Sequence, residues 1–358
     1  MRKESEDFLF EYLNTYSPTS HELPGQKVWL KYLKPYIDEH FLDPYGTAVG
    51  VINPGKEKKV VIEAHADEIS WMVKHIDSDG YMRVVRNGGS DHQIAPSMRV
   101  WFHTENGKVP GVFGWPAVHV RRGEKEANPS LDNIFLDCGC ESKEEVEELG
   151  IHVGTVVTFT DGLTKLNDRF YTGRALDNRI GGFIIAEVVR QLKDEGKELP
   201  FTLYIVNSVQ EEVGLKGATM IAERLKPDVA LCIDVNHGTN IPMYNAKKQG
   251  DIKCGHGPTL AHGPAIHNLV LKHLHEVANK HDIPFQRQAA SRATGTDTDA
   301  FQLAGGGIPS ALVALPIKYM HTTVESAHKD DIDRCIQLMK GFLADMPSDV
   351  DFNYKLDI

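Results

Sequence analysis

The chain predicts an α/β fold: a sheet covered by helices on both faces, interrupted by a small β-barrel insert. Two textures point there. Up to residue 68 and again after residue 163, apolar runs alternate between strand-like and helix-like periods, the pattern of strands joined through helices. Between them, short β-type runs follow one another with turns as breaks, the pattern of a small barrel. One discontinuous domain, 1–68 and 164–358, with 69–163 as its insert, accounts for both.

In chain order, 3–15 and 22–38 carry apolar positions at helical spacing, separated by SPTSHELPG. TAVGVIN (47–53) is a short strand. KKVVIEAHADE (58–68) is a buried one, rich in β-branched residues, with a polar tip. The insert runs ISWMVKHI, YMRVVRN, MRVWFH, VPGVFGW, NIFLDCG and GTVVTFT, with DSDG and ENGK as hairpin turns. One helix interrupts it, SKEEVEELG (142–150), which opens on a capping box from Ser142 to Glu145 and stops at Gly150. Beyond the insert come a long helix (175–196), a strand (201–210), a helix (217–225) and a strand (229–237). A helix (268–282), a strand (309–318) and a closing helix (330–346) complete the chain.

Composition narrows the function. Of 358 residues 41% are hydrophobic and 25% charged, an ordinary soluble profile, and the net charge is −11. An acidic surface argues against nucleic acid and anionic membrane as partners. No apolar run approaches the ~20 residues of a membrane span. The N-terminus, MRKESEDFLFEYL, reads as an amphipathic helix rather than a signal peptide, which leads to the expectation of a cytoplasmic protein. Five irregularly spaced cysteines do not make a disulfide framework, and DCGC is too tight for a zinc knuckle. Those thiols are expected to be reduced and structural.

The chemistry lies at the tips of the buried runs. One ends His65-Ala-Asp67, the next runs into SVQEEVGLKGA with Glu211 and Glu212 side by side, and the third carries Asp234. The fourth is followed by YMHTT with His321, and the long helix opens with Asp177. Each alone has a bland reading: a satisfied polar residue, a loop cap, a helix N-terminal charge. Together, at the carboxyl ends of strands where α/β sheets place their sites, they can share divalent cations. With Asp177 bridging, one ion takes His65, Asp177 and Asp234, and the other Asp177, Glu212 and His321. Each keeps an open position for water, as catalytic metals do. Two divalent ions, three carboxylates and a bridging hydroxide sum to zero charge. Nitrogen and oxygen donors without thiolate suit zinc, cobalt or manganese. Glu211 is left to act as general base, and Asp67 to orient the His65 ring.

EAHADEIS, GRALDNRIGG, VQEEVGLKGA, CIDV and IKYMHTTVE, in that order, resemble the tetrahedral or glutamyl aminopeptidases, whose members also carry the names cellulase M and endoglucanase. The resemblance covers nearly the whole chain. It implies a mixed-sheet sandwich of zinc-exopeptidase type interrupted by a PDZ-like β-barrel, with two co-catalytic metals. It implies dimers that assemble into a hollow tetrahedral dodecamer with inward-facing sites. By motif it places the metals on His65, Asp177, Glu212, Asp234 and His321, with Glu211 as base and Asp67 behind His65. Ala66 and Asn178 depart from many relatives at positions that are not ligands. SRATGTDTDAF (291–301) corresponds to a Gly-Thr-Asp segment of the family, where Asp297 or Asp299 serves either as a cap for the next helix or toward substrate.

The resulting expectation is a metal-dependent aminopeptidase that trims short peptides from the N-terminus, with Glu211 deprotonating a metal-bridging water. Two alternatives stay open: a related amidohydrolase such as a deacylase or carboxypeptidase, and a non-catalytic metal-binding scaffold. Glu211, a spare carboxylate, speaks against the scaffold. A dinuclear cluster speaks against glycoside hydrolysis. A preference for acidic N-terminal residues would need a cation near the site, for which Lys247, Lys248, Arg292 and Lys318 are the candidates.

Overall fold

The computed structural model describes residues 1–121 and 128–356. Four parallel strands form the middle of an eleven-stranded mixed sheet: Thr202–Ser208, Lys59–His65, Val229–His237 and Ser310–Lys318, in that spatial order. These are the long apolar runs. Val60, Val61, Ile62, Leu203, Ile205, Leu231 and Val313 are sealed from solvent, as parallel strands under helices must be. Antiparallel strands extend the sheet on both sides. Ala48–Ile52 and Glu39–Leu42 lie beyond one edge. Glu325–His328, Phe170–Gly173 and Thr164–Leu166 lie beyond the other. Thr259–His262 branches from Ser310–Lys318 and carries Gln286–Ala289.

Helices cover the sheet in two groups. Lys3–Asn14, Leu23–Leu33 and Lys329–Ala344 pack on the long helix Leu176–Asp194, Asn268–Lys280 packs on Lys329–Ala344, and Lys216–Leu225 packs with Thr298–Leu303 elsewhere on the sheet. The long helix is buried nearly all round, from Leu176 to Leu192, which explains why apolar residues occupy all of its faces.

Six antiparallel strands close into a separate barrel, in the order Ser70–Ile76, Met82–Asn87, Phe135–Asp137, Gly107–Gly114, Arg99–Thr104 and Val156–Phe159. Its core of Trp71, Phe102, Phe113, Leu136 and Val157 is distinct from the core of the large sheet. Alternating inward and outward residues, clearest in Met82–Asn87, fill so small a barrel with side chains. The interrupting helix is Lys143–Glu148, with the Glu145 amide donating to Ser142 Oγ at 3.2 Å. The box is not reciprocal: the Glu145 carboxylate accepts from the Glu141 amide instead, at 2.8 Å. All five cysteines are free.

Three local readings need correction. The second helix stops at Leu33, passes through a tight turn over Lys34–Tyr36, and gives way to the edge strand Glu39–Leu42. Pro35 removes the amide that a continuing helix would need. At the start of the long helix, Asp177 (φ −78°, ψ 112°) and Asn178 (φ −115°, ψ 33°) are not helical, and Ala175 is left-handed at φ 60°. Asp177 is therefore not a helix N-terminal charge. Finally, neither aspartate of TGTDTDAF caps the helix Thr298–Leu303. Asp299 binds the amides of Thr294 and Gly295, and Asp297 turns into the protein beneath the strand tips.

Candidate metal centre

Parallel register brings the polar tips level. Ser208 pairs with His65, so Glu211 and Glu212 emerge next to the imidazole in a tight turn, Glu211–Val213. Cys232 pairs with Glu63, which sets Asp234 beside His65 two residues further on. His321 arrives from the loop after Ser310–Lys318 and Asp177 from the entry to the long helix.

The two oxygens of Asp177 face two different histidines. Oδ1 lies 3.3 Å from His65 Nε2, and Oδ2 lies 3.1 Å from His321 Nε2. Around His65 Nε2 stand Asp234 Oδ1 and Glu211 Oε2, each at 3.8 Å. Glu212 Oε1 is 3.7 Å from His321 Nε2. Donor atoms of His65, Asp177 and Glu212 lie within 4.8 Å of one another, as do those of His65, Glu211 and Asp234. All seven residues singled out from the sequence thus meet in one place. Geometry alone puts Glu211 as near a cation position as Asp234.

Burial makes the crowding costly. Glu211 is pushed up to about 9, chiefly by loss of solvent and further by Asp234, with His65 opposing. Glu212 and Asp234 are also raised, first by burial and then by the Asp177 charge. Burial would lower His65, but Glu211, Asp177, Asp67 and Asp234 overturn that and raise it. Asp177 is lowered: burial opposes, and the two histidines prevail. Among the described residues, the ion pairs of Asp177, Glu211, Glu212 and Asp234 are all to His65 and His321, with no lysine or arginine. Four carboxylates, two buried and two half-buried, and two imidazoles with no permanent cation are the donor set that a divalent ion satisfies.

Several supporting residues escape sequence reading. Asp67 does more than face His65 Nδ1, 3.4 Å from its Oδ1. It accepts from the amides of Glu211 (3.0 Å) and Glu212 (3.3 Å) and from Thr19 Oγ1 (2.8 Å), so it holds the two-glutamate turn. Glu325, buried on the neighbouring strand, accepts from the His321 amide at 2.7 Å and the Asp177 amide at 3.1 Å. Beneath the site, Ser208 Oγ lies 2.6 Å from both Glu63 and Asp297. One hydroxyl proton serves only one of them, so this buried pair retains a further proton. Left-handed backbone at Ala175, Gln210, Leu215, Tyr319 and His321 gathers around the ligand positions, as strained residues do at functional sites.

The barrel forms part of the wall. Asn87 Nδ2 donates to the Thr19 carbonyl at 3.0 Å, and Gly88 and Gly89 follow it over the site. A Cβ at Gly89 would lie 2.6 Å from His321 Nδ1, and one at Gly88 3.1 Å from Glu212 Cβ. Only bare backbone fits there. Together these groups face a cavity of ≈ 540 Å³.

Residues 46–338 match the family model described as M42 glutamyl aminopeptidase. The chain belongs to that family. It is 36% identical to the lysyl aminopeptidase of Pyrococcus furiosus over 316 residues, covering 88% of this chain and 89% of the relative. The fold superposes on the TET aminopeptidase of Thaumarchaeota archaeon SCGC AB-539-E09 with a TM-score of 0.90 at 28% identity, covering 95% of this chain and 96% of the other. It also matches the Pyrococcus horikoshii TET1 peptidase, which can assemble into a tetrahedron or a large octahedral shell, with a TM-score of 0.84 at 26% identity, covering 96% and 100% of the two chains. This M42 chain is therefore an aminopeptidase-type hydrolase of peptides with a cluster able to hold metal. No helix among its described residues is long and apolar enough to cross a membrane.

Proposed function

We propose that this M42 chain is a two-metal aminopeptidase that removes residues from the N-terminus of short peptides. The observation that carries the reading is Asp177, whose two oxygens each address a different histidine. Its ligand sets are His65, Asp177 and Asp234 for one ion, and Asp177, Glu212 and His321 for the other. Zinc or cobalt suits these donors, and manganese also fits. Such ions supply Lewis-acid polarisation of the peptide carbonyl and water of lowered pKa.

The chain's own groups do the rest. Glu211, buried beside His65, accepts the proton of the attacking water and returns it to the departing amine. Asp67 holds the Glu211 and Glu212 amides and so fixes the distance between base and ligand. Glu325 does the same for Asp177 and His321. The barrel region, 69–163, serves both as wall of the site and as contact for dimers that build a larger homo-oligomeric shell. Support comes from its separate core and from the assembling P. horikoshii relative.

The test pairs metal with substrate. Exhaustive chelation abolishes hydrolysis of aminoacyl p-nitroanilides, and added zinc, cobalt or manganese restores it. N-acyl amino acids and peptides blocked at the N-terminus stay intact. Cleavage of the blocked compounds with free aminoacyl anilides untouched would make the chain a deacylase or carboxypeptidase instead.

A further inference from the structure

The family description says glutamyl and the P. furiosus relative is a lysyl enzyme, preferences of opposite charge. Kinship therefore leaves the side chain at the peptide N-terminus open, and the cavity of this chain decides it. One wall consists of Asp177, Glu211, Glu212, Asp234 and His321, all facing the candidate metal positions. The rest of the lining carries no lysine or arginine: Leu215, Val235, Leu312 and Met320 are apolar, and Asn236 and Gln288 are amides. His237 is also on this lining. None of Lys247, Lys248, Arg292 and Lys318 lines the cavity. Lys318 instead sits over the Phe170 ring, with Nζ 5.1 Å from its centroid.

We infer that this site selects peptides whose N-terminal side chain is uncharged, aliphatic or of Met or Gln type, and discriminates against Glu, Asp, Lys and Arg. The inference rests on the aminopeptidase reading above. A carboxylate placed against this lining loses water and meets no cation among the described residues. An ammonium or guanidinium loses water and meets only neutral groups, because Asp177, Glu212 and Asp234 are taken up by the bound ions and Glu211 is engaged with the attacking water. Either charge is desolvated without a partner. Leu or Met gains apolar contact with Leu215, Val235, Leu312 and Met320. Gln finds hydrogen bonds at the amide pair, where Asn236 Nδ2 donates to Gln288 Oε1 at 2.9 Å. Specificity here is a difference of affinities, set as much by what the wall lacks for charged residues as by what it offers neutral ones.

Gln288 is the position to test. It is half-buried on the edge strand Gln286–Ala289 and lines the cavity, so a charged side chain placed there faces the bound substrate. The metal-loaded enzyme is assayed on Leu, Met, Gln, Glu, Lys and Arg p-nitroanilides. The expected kcat/KM for the neutral substrates exceeds that for Glu, Lys and Arg at least tenfold. Gln288→Arg should raise the Glu-to-Leu ratio of kcat/KM at least tenfold, and Gln288→Glu the Lys-to-Leu ratio, with metal content per subunit unchanged in both. A wild-type optimum at Glu, Lys or Arg overturns the inference. So do ratios that neither substitution moves while both variants bind their full metal. If no aminoacyl substrate is cleaved but N-acyl amino acids are, the aminopeptidase reading itself fails and the inference falls with it.

Discussion

Gly89→Ala puts a methyl group where the barrel loop touches the His321 ring. The new Cβ would sit 2.6 Å from Nδ1 and 2.7 Å from Cε1, against the 3.4 Å at which ordinary contact begins. The ring must retreat by about 0.8 Å, several times the roughly 0.2 Å tolerance of a metal–ligand bond. His321 cannot follow its ligand position, because its own amide is pinned by Glu325. Gly89 is not left-handed, so the substitution adds no backbone strain of its own. One ion should lose a ligand and bind about 10- to 100-fold more weakly, the usual cost of disturbing support around a metal. The other, with His65 and Asp234, should bind as before. Calorimetric titration of the chelated protein should resolve the two sites, with circular dichroism and thermal melting checking that the fold stands. Two sites of wild-type affinity would show that the barrel does not position His321 and would refute this reasoning.

Three further outcomes follow from the same geometry. Glu325→Ala should release the Asp177 and His321 amides together, weakening metal about 10- to 100-fold with a recognisably folded circular dichroism spectrum. Unchanged metal affinity would contradict its positioning role. In the metal-free protein, Glu211 (up to about 9), Glu212, Asp234 and His65 all hold protons more tightly than in the unfolded chain. Stability is then greatest below their unfolded values and falls as pH rises toward 9. Melting temperature without metal should drop from pH 5 to pH 9, and added zinc should remove the slope; a metal-free melting temperature that rises over that range contradicts the raised values. Deleting 69–163 should leave a smaller, weakly active species in light scattering, and full assembly size in that variant would count against the barrel as the assembly contact.

The readable parts of the molecule share a cause. The four central strands are built on apolar runs of Val, Ile, Leu and Ala, so their bounds and burial are visible in the chain. Charged tips on such runs stand out because burial without a partner is costly, and that singled out His65, Glu211, Glu212 and Asp234. The edge strands were illegible. Thr164–Leu166 is fully exposed and Gln286–Ala289 half exposed, so both are held by backbone pairing rather than by an apolar pattern. The turn at Asp177 is hidden by a helical spacing in LDNRIGG that tertiary contacts override. Glu325 and Gly89 act through a neighbour's amide and ring, which no spacing records. The only trace was a double glycine that reads as an ordinary turn, and an acidic residue in VESAH on an otherwise buried strand.

The two glutamates of the turn divide the roles of base and metal ligand between them. Metal content per subunit and kcat are to be measured together for Glu211→Gln and Glu212→Gln. Glu211→Gln keeps the shape and removes the proton acceptor. It should retain both ions and lose about 10² to 10⁴ in kcat, with little change in KM because the lost interaction belongs to the transition state. Glu212→Gln should lose occupancy of one ion along with rate. A Glu211→Gln enzyme that turns over near the wild-type rate, or that sheds an ion while Glu212→Gln keeps two, would contradict the assignment of base and ligand.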